Sequence, residues 1–584
     1  MSLGRAFLWL CCVAFATAIG GPVAARDMND RFKALYTREW IWRENQFADD
    51  EDGARGIQDR LPKLDAATQA MRLAYWQDVL RELAMIDVSE LSPENRINYA
   101  VYKPQIEALI ADQKFRQYEM PANSDSAFWT DLDFTARENF KSLADYRNWI
   151  AQMRDIPRYF REEMDAMRAG ETRGFTPPRV TLTGRDASIA AVMEAKAGET
   201  AFYQPFRKMP VGISLADQSS LRAQALTVIR DDVQPAYGEL LKFWNTEYVP
   251  HARATLAAED LPDGKTYYQS QIREYTTLDL PPEKIHQIGL EEVAKLHVQM
   301  IDTMRETGFK GDFRAFLEYL RNDPKFYAKT PQELLDDAAW IAKEFDGKAA
   351  QYFGHLPRAR FGIAPVPADM APFYTAGRGG PGVYLLNTYD LPHRPLYNLA
   401  ALTLHESAPG HAFQIPLAEE DKALPDFRRH TYISAYGEGW ALYCEWLGDE
   451  MGMYRTPYDR FGMLGYQVWR AARLVVDTGI HSQGWTRAQA VQYMQENTAL
   501  PDREIETEVD RYITWPGQAL SYYLGEMAIR DARVKAQAAL GSRFDIRAFH
   551  DAVLKLGSVP LPVLTAQMDR FIAEGGKGPY PDEE

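Results

Sequence analysis

The clearest hydrophobic pattern along the chain has the period of an α-helix. Between residues 282 and 305, apolar positions recur three to five residues apart with charged residues between them, as on one face of an amphipathic helix. These positions are Ile285, Ile288, Val293, Leu296, Met300 and Met304. Pro281 precedes the stripe and Gly308 follows it, as is typical at the start and end of a helix. The same pattern recurs at residues 331–353, 396–405 and 487–497, so we predict a mainly α fold.

One short run predicts a small β element within this helical chain. The sequence GVYLLNT, residues 382–388, combines β-branched and aromatic residues and follows a glycine-rich stretch at residues 377–382. Peptides commonly add a strand to an exposed sheet edge, so this run, with Tyr384 in it, is a candidate for contact with an extended substrate. A buried structural hairpin is the alternative.

The amino-terminal segment reads as a secretory signal peptide over residues 1–25. A short positive start is followed by an apolar run at residues 6–19 and by small residues just before Arg26. The run is shorter than the roughly 20 residues that span a membrane. Cys11 and Cys12 lie in it without a convincing lipobox. We therefore expect a soluble exported protein, periplasmic or extracellular, with no stable membrane insertion after signal cleavage.

The rest of the chain contains no linker, repeat or low-complexity tract at which to divide it. We predict two helical lobes around one cleft, residues 26–253 and 254–584, which form one cooperative unit, with the candidate metal-site motifs described below in the second lobe. The formal net charge of -16 argues against nucleic acid as a partner, because phosphates require a basic surface. Outside the signal segment Cys444 stands alone, which excludes an intramolecular disulfide.

Candidate chemistry is concentrated in the segment HESAPGH, which begins at His405. Two histidines and an adjacent Glu406 are the components of a hydrolytic zinc site, because zinc takes three protein ligands and keeps a position for water. His405 and His411 are six positions apart, so on a straight helix their rings would diverge by about 120°. Pro409 must interrupt the helix and Gly410 tolerates the resulting backbone. We predict a kink or bulge that returns His411 to the metal.

The segment EGWALYCE offers two carboxylates, Glu438 and Glu445, as further candidates. They share a helix face but lie about 10 Å apart along its axis, so one metal cannot hold both. Glu438 is flanked by glycines that would let backbone and metal approach closely, and we predict that it is the third ligand. Glu445 would then orient a ligand histidine, with binding of a substrate amine or a plain buried ion pair as alternatives.

Two residues of the segment WRAARLVVDTGIH are weaker candidates. His481 has an imidazole that can donate to an oxyanion, or it simply caps or bridges helices. Arg473 has a planar fork that can bind a carboxylate, or it is an ordinary surface or helix-pairing arginine.

Several longer runs resemble the bacterial domain-of-unknown-function 885 family, which is regarded as a family of zinc-dependent peptidases. The runs are GVYLLNTYDL, LHESAPGHAFQ, YGEGWALYCEWLG, RLVVDTGIHSQGW and RYITWPGQALSYYLG, and the resemblance spans about residues 267–525. HESAPGH is more distantly similar to the H-E-x-G-H of the thimet oligopeptidase, angiotensin-converting enzyme and carboxypeptidase Taq families. EGWALYCE is similar to the run that supplies the zinc glutamate of the aminopeptidase N family. The resemblance implies a zincin-like helical metallopeptidase with a deep cleft.

The resemblance also implies roles for individual residues. His405, His411 and Glu438 match the ligands of one zinc ion per chain, and Glu406 matches the general base. Tyr522 matches a tyrosine that related peptidases use near the reacting carbonyl, with the adjacent Tyr523 as the other possible phenol.

Three classes of function stay open at this point. The first is a zinc peptidase acting on small peptides, and the second is a zinc amidase or esterase acting on a non-peptide substrate. The third is a catalytically inactive peptide-binding protein of the same fold, against which the intact Glu406 weighs.

Overall fold

The computed structural model describes residues 27–47, 56–124, 126–368 and 370–580. The predicted signal peptide at residues 1–25 lies outside the described residues. The described chain is mainly helical with one small sheet, as the sequence predicts. None of the helices within these ranges combines the length and the apolar character that a membrane span requires.

The amino-terminal part of the described chain consists of helices and short 3-10 turns. Its α-helices are α1 (Met28–Gln46), α2 (Ala66–Leu83), α3 (Pro93–Phe115), α4 (Phe128–Thr135), α5 (Leu143–Arg173), α6 (Asp186–Glu194), α7 (Gln204–Arg207), α8 (Leu215–Val228), α9 (Gln234–Phe243) and α10 (Val249–His251). Two π-helical segments, Ile229–Val233 and Trp244–Tyr248, join α8, α9 and α10 into one continuous helical run.

The remaining elements form the larger part of the molecule. They are α11 (Gly264–Thr276), α12 (Pro282–Glu306), α13 (Phe313–Asn322), α14 (Pro331–Asp346), α15 (Ala349–Tyr352), β1 (Gly362–Pro365), β2 (Gly377–Gly380), β3 (Val383–Leu386), α16 (Leu396–Glu406), α17 (His411–Glu420), α18 (Asp426–Arg429), α19 (Ser434–Glu450), α20 (Pro457–Gln483), α21 (Arg487–Asn497), α22 (Asp502–Thr514), α23 (Ser521–Leu540), α24 (Ile546–Leu554) and α25 (Leu561–Ala573). The predicted helices at 282–305, 396–405 and 487–497 correspond to α12, α16 and α21.

Helix α20 lies at the centre of this larger part. A capping box starts it, because Thr456 Oγ1 accepts the N–H of Asp459 and the Asp459 carboxylate accepts the N–H of Thr456. Gly484 ends it in the left-handed conformation, with φ of 70°. Residues 461–481 are buried on every face, which only neighbouring helices can achieve. Gly289 lets α12 approach so closely that a Cβ there would lie 2.7 Å from a valine methyl of α20.

The three strands form one sheet in the order β1-β3-β2. Strand β1 pairs with β3 in parallel, and β2 pairs with β3 in antiparallel orientation. The sequence predicted that the run containing β3 could offer an exposed edge to a substrate. That placement was wrong, because β3 is hydrogen-bonded on both sides. The strand at an edge beside α16 and α17 is β2, which the glycine-rich stretch forms.

Three hydrophobic clusters divide the chain differently from the predicted boundary at residue 253. One cluster draws its buried residues from positions 57–252. A second unites residues 32–110 with residues 345–571, so α1, α2 and α3 complete the core of the carboxyl-terminal helices. The third lies mainly between residues 258 and 524 and surrounds α20.

Aromatic contacts explain why the first three helices pack against the carboxyl-terminal helices and not against the rest of the amino-terminal region. Phe427 of α18 packs its ring against Tyr36 of α1 and Tyr102 of α3, with ring centroids 5.1 and 4.9 Å apart. Buried aromatic side chains contribute large apolar areas to a core, so such pairs fix these helices to α18.

Candidate metal centre

The two histidines of HESAPGH lie on different helices. Helix α16 ends at Glu406 and α17 begins at His411, with non-helical backbone between them. The sequence predicted a kink or bulge here, and the structure has a complete break, with the Ala408–Pro409 peptide bond cis. Gly410 is required by a close approach, because a Cβ there would lie 1.8 Å from the carbonyl oxygen of His405. The break brings the imidazoles of His405 and His411 to a centroid distance of 4.9 Å.

Three side-chain donors converge on one point. Glu438 Oε2 lies 3.5 Å from His405 Nε2 and 3.4 Å from His411 Nε2, and all three atoms lie within 4.8 Å of one another. These separations are long for hydrogen bonds. Two ligand atoms at about 2.1 Å from a tetrahedral zinc ion are about 3.4 Å apart. The separations therefore fit donors that share one metal ion, and two imidazoles with one carboxylate suit zinc.

Glu445 holds His405 from the opposite side of its ring. The His405 Nδ1 atom lies 2.7 Å from Glu445 Oε1, and both side chains are almost completely buried, with 3% and 0% exposure. When Nδ1 carries the proton for this hydrogen bond, the lone pair of Nε2 is left for a metal. Glu438 and Glu445 both project from α19, as the sequence predicted for carboxylates seven residues apart. Arg470 Nη2 lies 3.6 Å from Glu445 Oε1.

Charged neighbours shift the pKa values of His405 and Glu438. Burial acts to lower the pKa of His405, but the neighbouring carboxylates of Glu438 and Glu445 outweigh it and raise this pKa to about 10. Burial acts to raise the pKa of Glu438, but the two imidazoles hold it well below its usual value. Carboxylates thus outnumber fixed cations in the site, and this excess of negative charge attracts a cation.

Glu406 is held by the edge strand. The backbone N–H of Gly379 in β2 donates to Glu406 Oε2 at 2.6 Å, and the side chain of Glu406 is partly exposed. Strand β2 contacts the end of α16 so closely that a Cβ at position 379 would lie 1.6 Å from the carbonyl oxygen of Glu406. Sequence reasoning missed Gly379, although its glycine-rich stretch is a signal for close backbone approach.

Replacement of Gly379 by alanine is expected to destabilise the protein. The new methyl group cannot fit, so β2 must move from α16, and overpacking of this kind costs about 1–3 kcal/mol. Gly380→Ala in the same strand is the matched control, because a Cβ there meets open space. Denaturant unfolding of both variants measures the difference. Equal stabilities would contradict the close contact between β2 and Glu406.

The two adjacent tyrosines of α23 point to different partners. The hydroxyl of Tyr523 donates to Glu292 of α12 at 2.9 Å, which turns this phenol away. The hydroxyl oxygen of Tyr522 accepts from Gln518 Nε2 at 3.3 Å, so its own O–H remains available as a donor. Between the two phenols, the structure favours Tyr522 as the candidate donor.

Sequence reasoning missed Tyr432, whose ring lies 6.2 Å from the ring of His411. The side chain of Tyr432 is 45% exposed. Gly437 makes room for it, because a Cβ there would lie 2.3 Å from the Tyr432 ring. The glycines beside Glu438 were expected to admit a metal. They instead admit a phenol and, at Gly439, the backbone of α23.

His481 does not belong to the site. Its Nδ1 accepts the N–H of Ala258 at 3.0 Å, and its Nε2 lies 2.8 Å from the carbonyl oxygen of Tyr512. Burial lowers its pKa to about 3, so the ring is neutral. With both nitrogens engaged it cannot donate to an oxyanion. It bridges helices, which is the alternative reading of the sequence.

Tyr384 and Arg473, the other two candidates from the sequence, are both buried. Tyr384 lies on the central strand β3 and is completely buried, so it cannot contact a substrate. Arg473 is also buried, which rules out a surface position, and it pairs α20 with α22 through Glu508 at 3.0 Å and Tyr512 at 2.9 Å, which is the helix-pairing alternative.

Comparisons with known proteins agree with this fold. A solved structure described as a putative lipoprotein from Colwellia psychrerythraea is 26% identical, with a TM-score of 0.87 over 94% of this chain and 100% of that chain. Another, described as a putative lipoprotein of unknown function from Shewanella oneidensis, is 18% identical, with a TM-score of 0.67 over 93% and 100% of the two chains. At that identity the likeness shows a shared fold alone. No curated protein matches the chain.

A family model establishes the relationship. The model described as bacterial protein of unknown function, DUF885, matches residues 50–568, which include the whole candidate site. The chain therefore belongs to the DUF885 family of bacterial proteins.

Proposed function

We propose that this protein is an exported zinc-dependent hydrolase whose substrates are small peptides. The observation that supports it is the convergence of His405 Nε2, His411 Nε2 and Glu438 Oε2 at separations suited to one zinc ion. Three protein ligands leave one position open, as in catalytic zinc sites, whereas structural sites use four. A zincin-like arrangement of two helical lobes around a cleft belongs to the same proposal.

The residues around the site support a hydrolytic role. A bound zinc ion would supply Lewis acidity, which activates water and polarises a carbonyl. Glu406 would accept the proton of the attacking water, and the N–H of Gly379 positions its carboxylate by donating to one of the two oxygens. Glu445 keeps the His405 ring in the tautomer and orientation that a ligand needs.

A phenol completes the proposed machinery. Negative charge develops on the carbonyl oxygen during attack, and a donor placed there stabilises it. Tyr522 fits this role because Gln518 supplies an N–H to its oxygen and leaves the phenolic proton to be donated. Tyr432, beside His411, offers a second phenol to the same region.

The edge strand favours peptides over other amides or esters. Strand β2 is paired with β3 on one side only, within the described sheet, and it lies against Glu406. An extended peptide can add to such an edge through backbone hydrogen bonds, which a non-peptide ester cannot do. Export is supported by the signal-like residues 1–25, and we expect the mature chain to begin near Arg26.

Metal analysis and a mixed peptide library test the proposal together. We expect about one zinc ion per chain, loss of peptide hydrolysis in a chelator and recovery on addition of zinc, because the three-ligand site is the source of activity. Mass spectrometry of the library identifies the products.

Undiminished hydrolysis by metal-free protein would refute the zinc mechanism. Cleavage of simple esters or amides without any cleavage of peptides would favour the amidase or esterase alternative. Peptide binding without hydrolysis by zinc-loaded protein would favour the inactive binding protein.

A further inference from the structure

We propose that Arg473 binds the carboxyl terminus of the peptide substrate, so that the enzyme removes one or two residues from the carboxyl end. This inference rests on the proposed peptidase function and adds which end of the peptide is recognised.

The guanidinium of Arg473 is held by hydrogen bonds from two of its three nitrogen atoms. Its Nε donates to the hydroxyl of Tyr512 at 2.9 Å, and its Nη2 donates to Glu508 Oε2 at 3.0 Å. The Nη1 atom is buried and has no acceptor among the residues that the structure describes. The residue as a whole is only 2% exposed. Buried donors without acceptors are rare and costly, so this nitrogen is a position at which a ligand oxygen would be favoured.

Positive charge exceeds negative charge around this nitrogen. Glu508 is shared by Arg473 and by Arg511, whose Nη1 lies 3.7 Å from it. Two cations therefore face one carboxylate. Glu504, one turn earlier on α22, is only partly ionised at neutral pH, because burial and then Glu508 raise its pKa to about 7. In a chain whose formal charge is -16, this local surplus favours an anionic ligand.

Arg470, one turn before Arg473 on α20, places a further positive charge between Arg473 and the metal centre. It is buried, and its Nε also lacks an acceptor among the described residues. Its Nη2 approaches Glu445, the carboxylate that holds His405, at 3.6 Å. The two arginines thus connect the metal centre with the surroundings of Glu508.

A small cavity of about 40 Å³ lies close to Arg470. It is lined by Arg394, Tyr466 and Glu504 among others, and the ring of Tyr466 lies 4.6 Å from the guanidinium carbon of Arg470.

The distance between Tyr522 and Arg473 determines how many residues separate the cleaved bond from the carboxyl terminus. The guanidinium carbon of Arg473 lies 4.5 Å from the centre of the Tyr522 ring. The distance from the phenolic oxygen to the guanidinium therefore corresponds to one or two residues of an extended peptide. An extended residue spans about 3.3–3.6 Å. When Tyr522 contacts the carbonyl of the bond that is cleaved, a carboxylate one or two residues further along reaches Arg473. Arginine binds carboxylates through parallel N–H groups, which makes the contact selective for the charged terminus.

Paired peptides provide the test. Each sequence is offered to the zinc-loaded mature protein with a free terminal carboxylate and as the terminal amide, and products are identified by mass spectrometry. We expect the acid to lose one or two carboxyl-terminal residues. The amide should be cleaved about 10- to 100-fold less efficiently in kcat/KM, because it lacks the charge-assisted hydrogen bonds.

Substitution identifies the residue responsible. Arg473→Lys keeps a cation but loses the planar fork, so the KM for acid peptides should rise about 10-fold or more, and by clearly more than the KM for the matching amides. The double variant Arg473→Met, Glu508→Gln removes both charges of this ion pair and takes a carboxylate only from Arg511, which is partly exposed, and it should erase the preference for acids. Arg533→Lys is the matched control, since Arg533 is a buried arginine whose partners, Tyr443 and Glu450, are separate from Tyr522.

The outcomes separate this inference from the proposed function. Equal cleavage of acids and amides by the unmodified protein, or cleavage mainly at internal or amino-terminal bonds, would overturn the inference alone. The same loss on acids and amides in Arg473→Lys would mean that Arg473 only supports Tyr522, and it would also overturn the inference. Absence of all peptide hydrolysis by zinc-loaded protein would overturn the proposed function and the inference with it.

Discussion

Glu438→Ala is expected to abolish zinc retention, whereas Glu445→Ala is expected to keep the metal with affinity weakened about 10- to 100-fold. Glu438 Oε2 lies within 3.5 Å of both imidazoles, so its loss removes one of three ligands. Glu445 instead contacts His405 Nδ1, on the side of the ring away from the proposed metal. Its removal leaves all three ligand atoms present and only loosens the His405 ring.

Metal content after gel filtration, measured by elemental mass spectrometry, separates the two variants. Circular dichroism controls for folding, which matters because Glu445 is completely buried. Zinc retained by Glu438→Ala and lost by Glu445→Ala would mean that the third ligand lies two turns further along α19. That result would also remove the observation on which the proposed function rests.

Glu406→Gln is expected to lower kcat by about 10²- to 10⁴-fold while the metal and the fold are kept. The amide is nearly isosteric with the carboxylate, and its oxygen can still accept the N–H of Gly379. It cannot, however, take a proton from water at neutral pH. Loss of turnover without loss of zinc therefore identifies the proton acceptor.

The kinetic measurement uses the best peptide from the library at saturating concentration. Glu163→Gln is the control for the same chemical change, because Glu163 is a buried carboxyl of α5 in the separate amino-terminal cluster. It should turn over normally. Wild-type kcat in Glu406→Gln would show that another group accepts the proton.

The helices were predictable where a local pattern specifies them. Helices α12, α16 and α21 begin and end close to the predicted residues, because apolar periodicity and flanking prolines or glycines are properties of the segment itself. The edge position of β2 was not predictable in this way. Which strand is central depends on pairing between segments distant in sequence, and the more apolar run became the central strand β3.

The site residues were likewise predictable where a local motif contains them and not where distant segments meet. His405, His411 and Glu438 could be placed together because two short motifs contain them, and Pro409 indicated how the spacing is accommodated. Contacts made by the fold were missed, namely the N–H of Gly379 on Glu406 and the phenol of Tyr432 beside His411. The glycine-rich stretch signals only that some backbone approaches closely, and a loop side chain leaves no residue-type signature, so the partners are identified only by the three-dimensional arrangement.

The packing of α1, α2 and α3 against residues 345–571 has a consequence for folding. These helices leave the ribosome first, yet the partners that cover their apolar faces are synthesised last. Contacts this distant in sequence slow folding, since a long loop must close before they form. If the chain is exported amino terminus first, as proposed, the apolar faces of α1 to α3 stay uncovered until most of the residues that cover them have crossed the membrane. Late closure of this core would then delay folding during translocation.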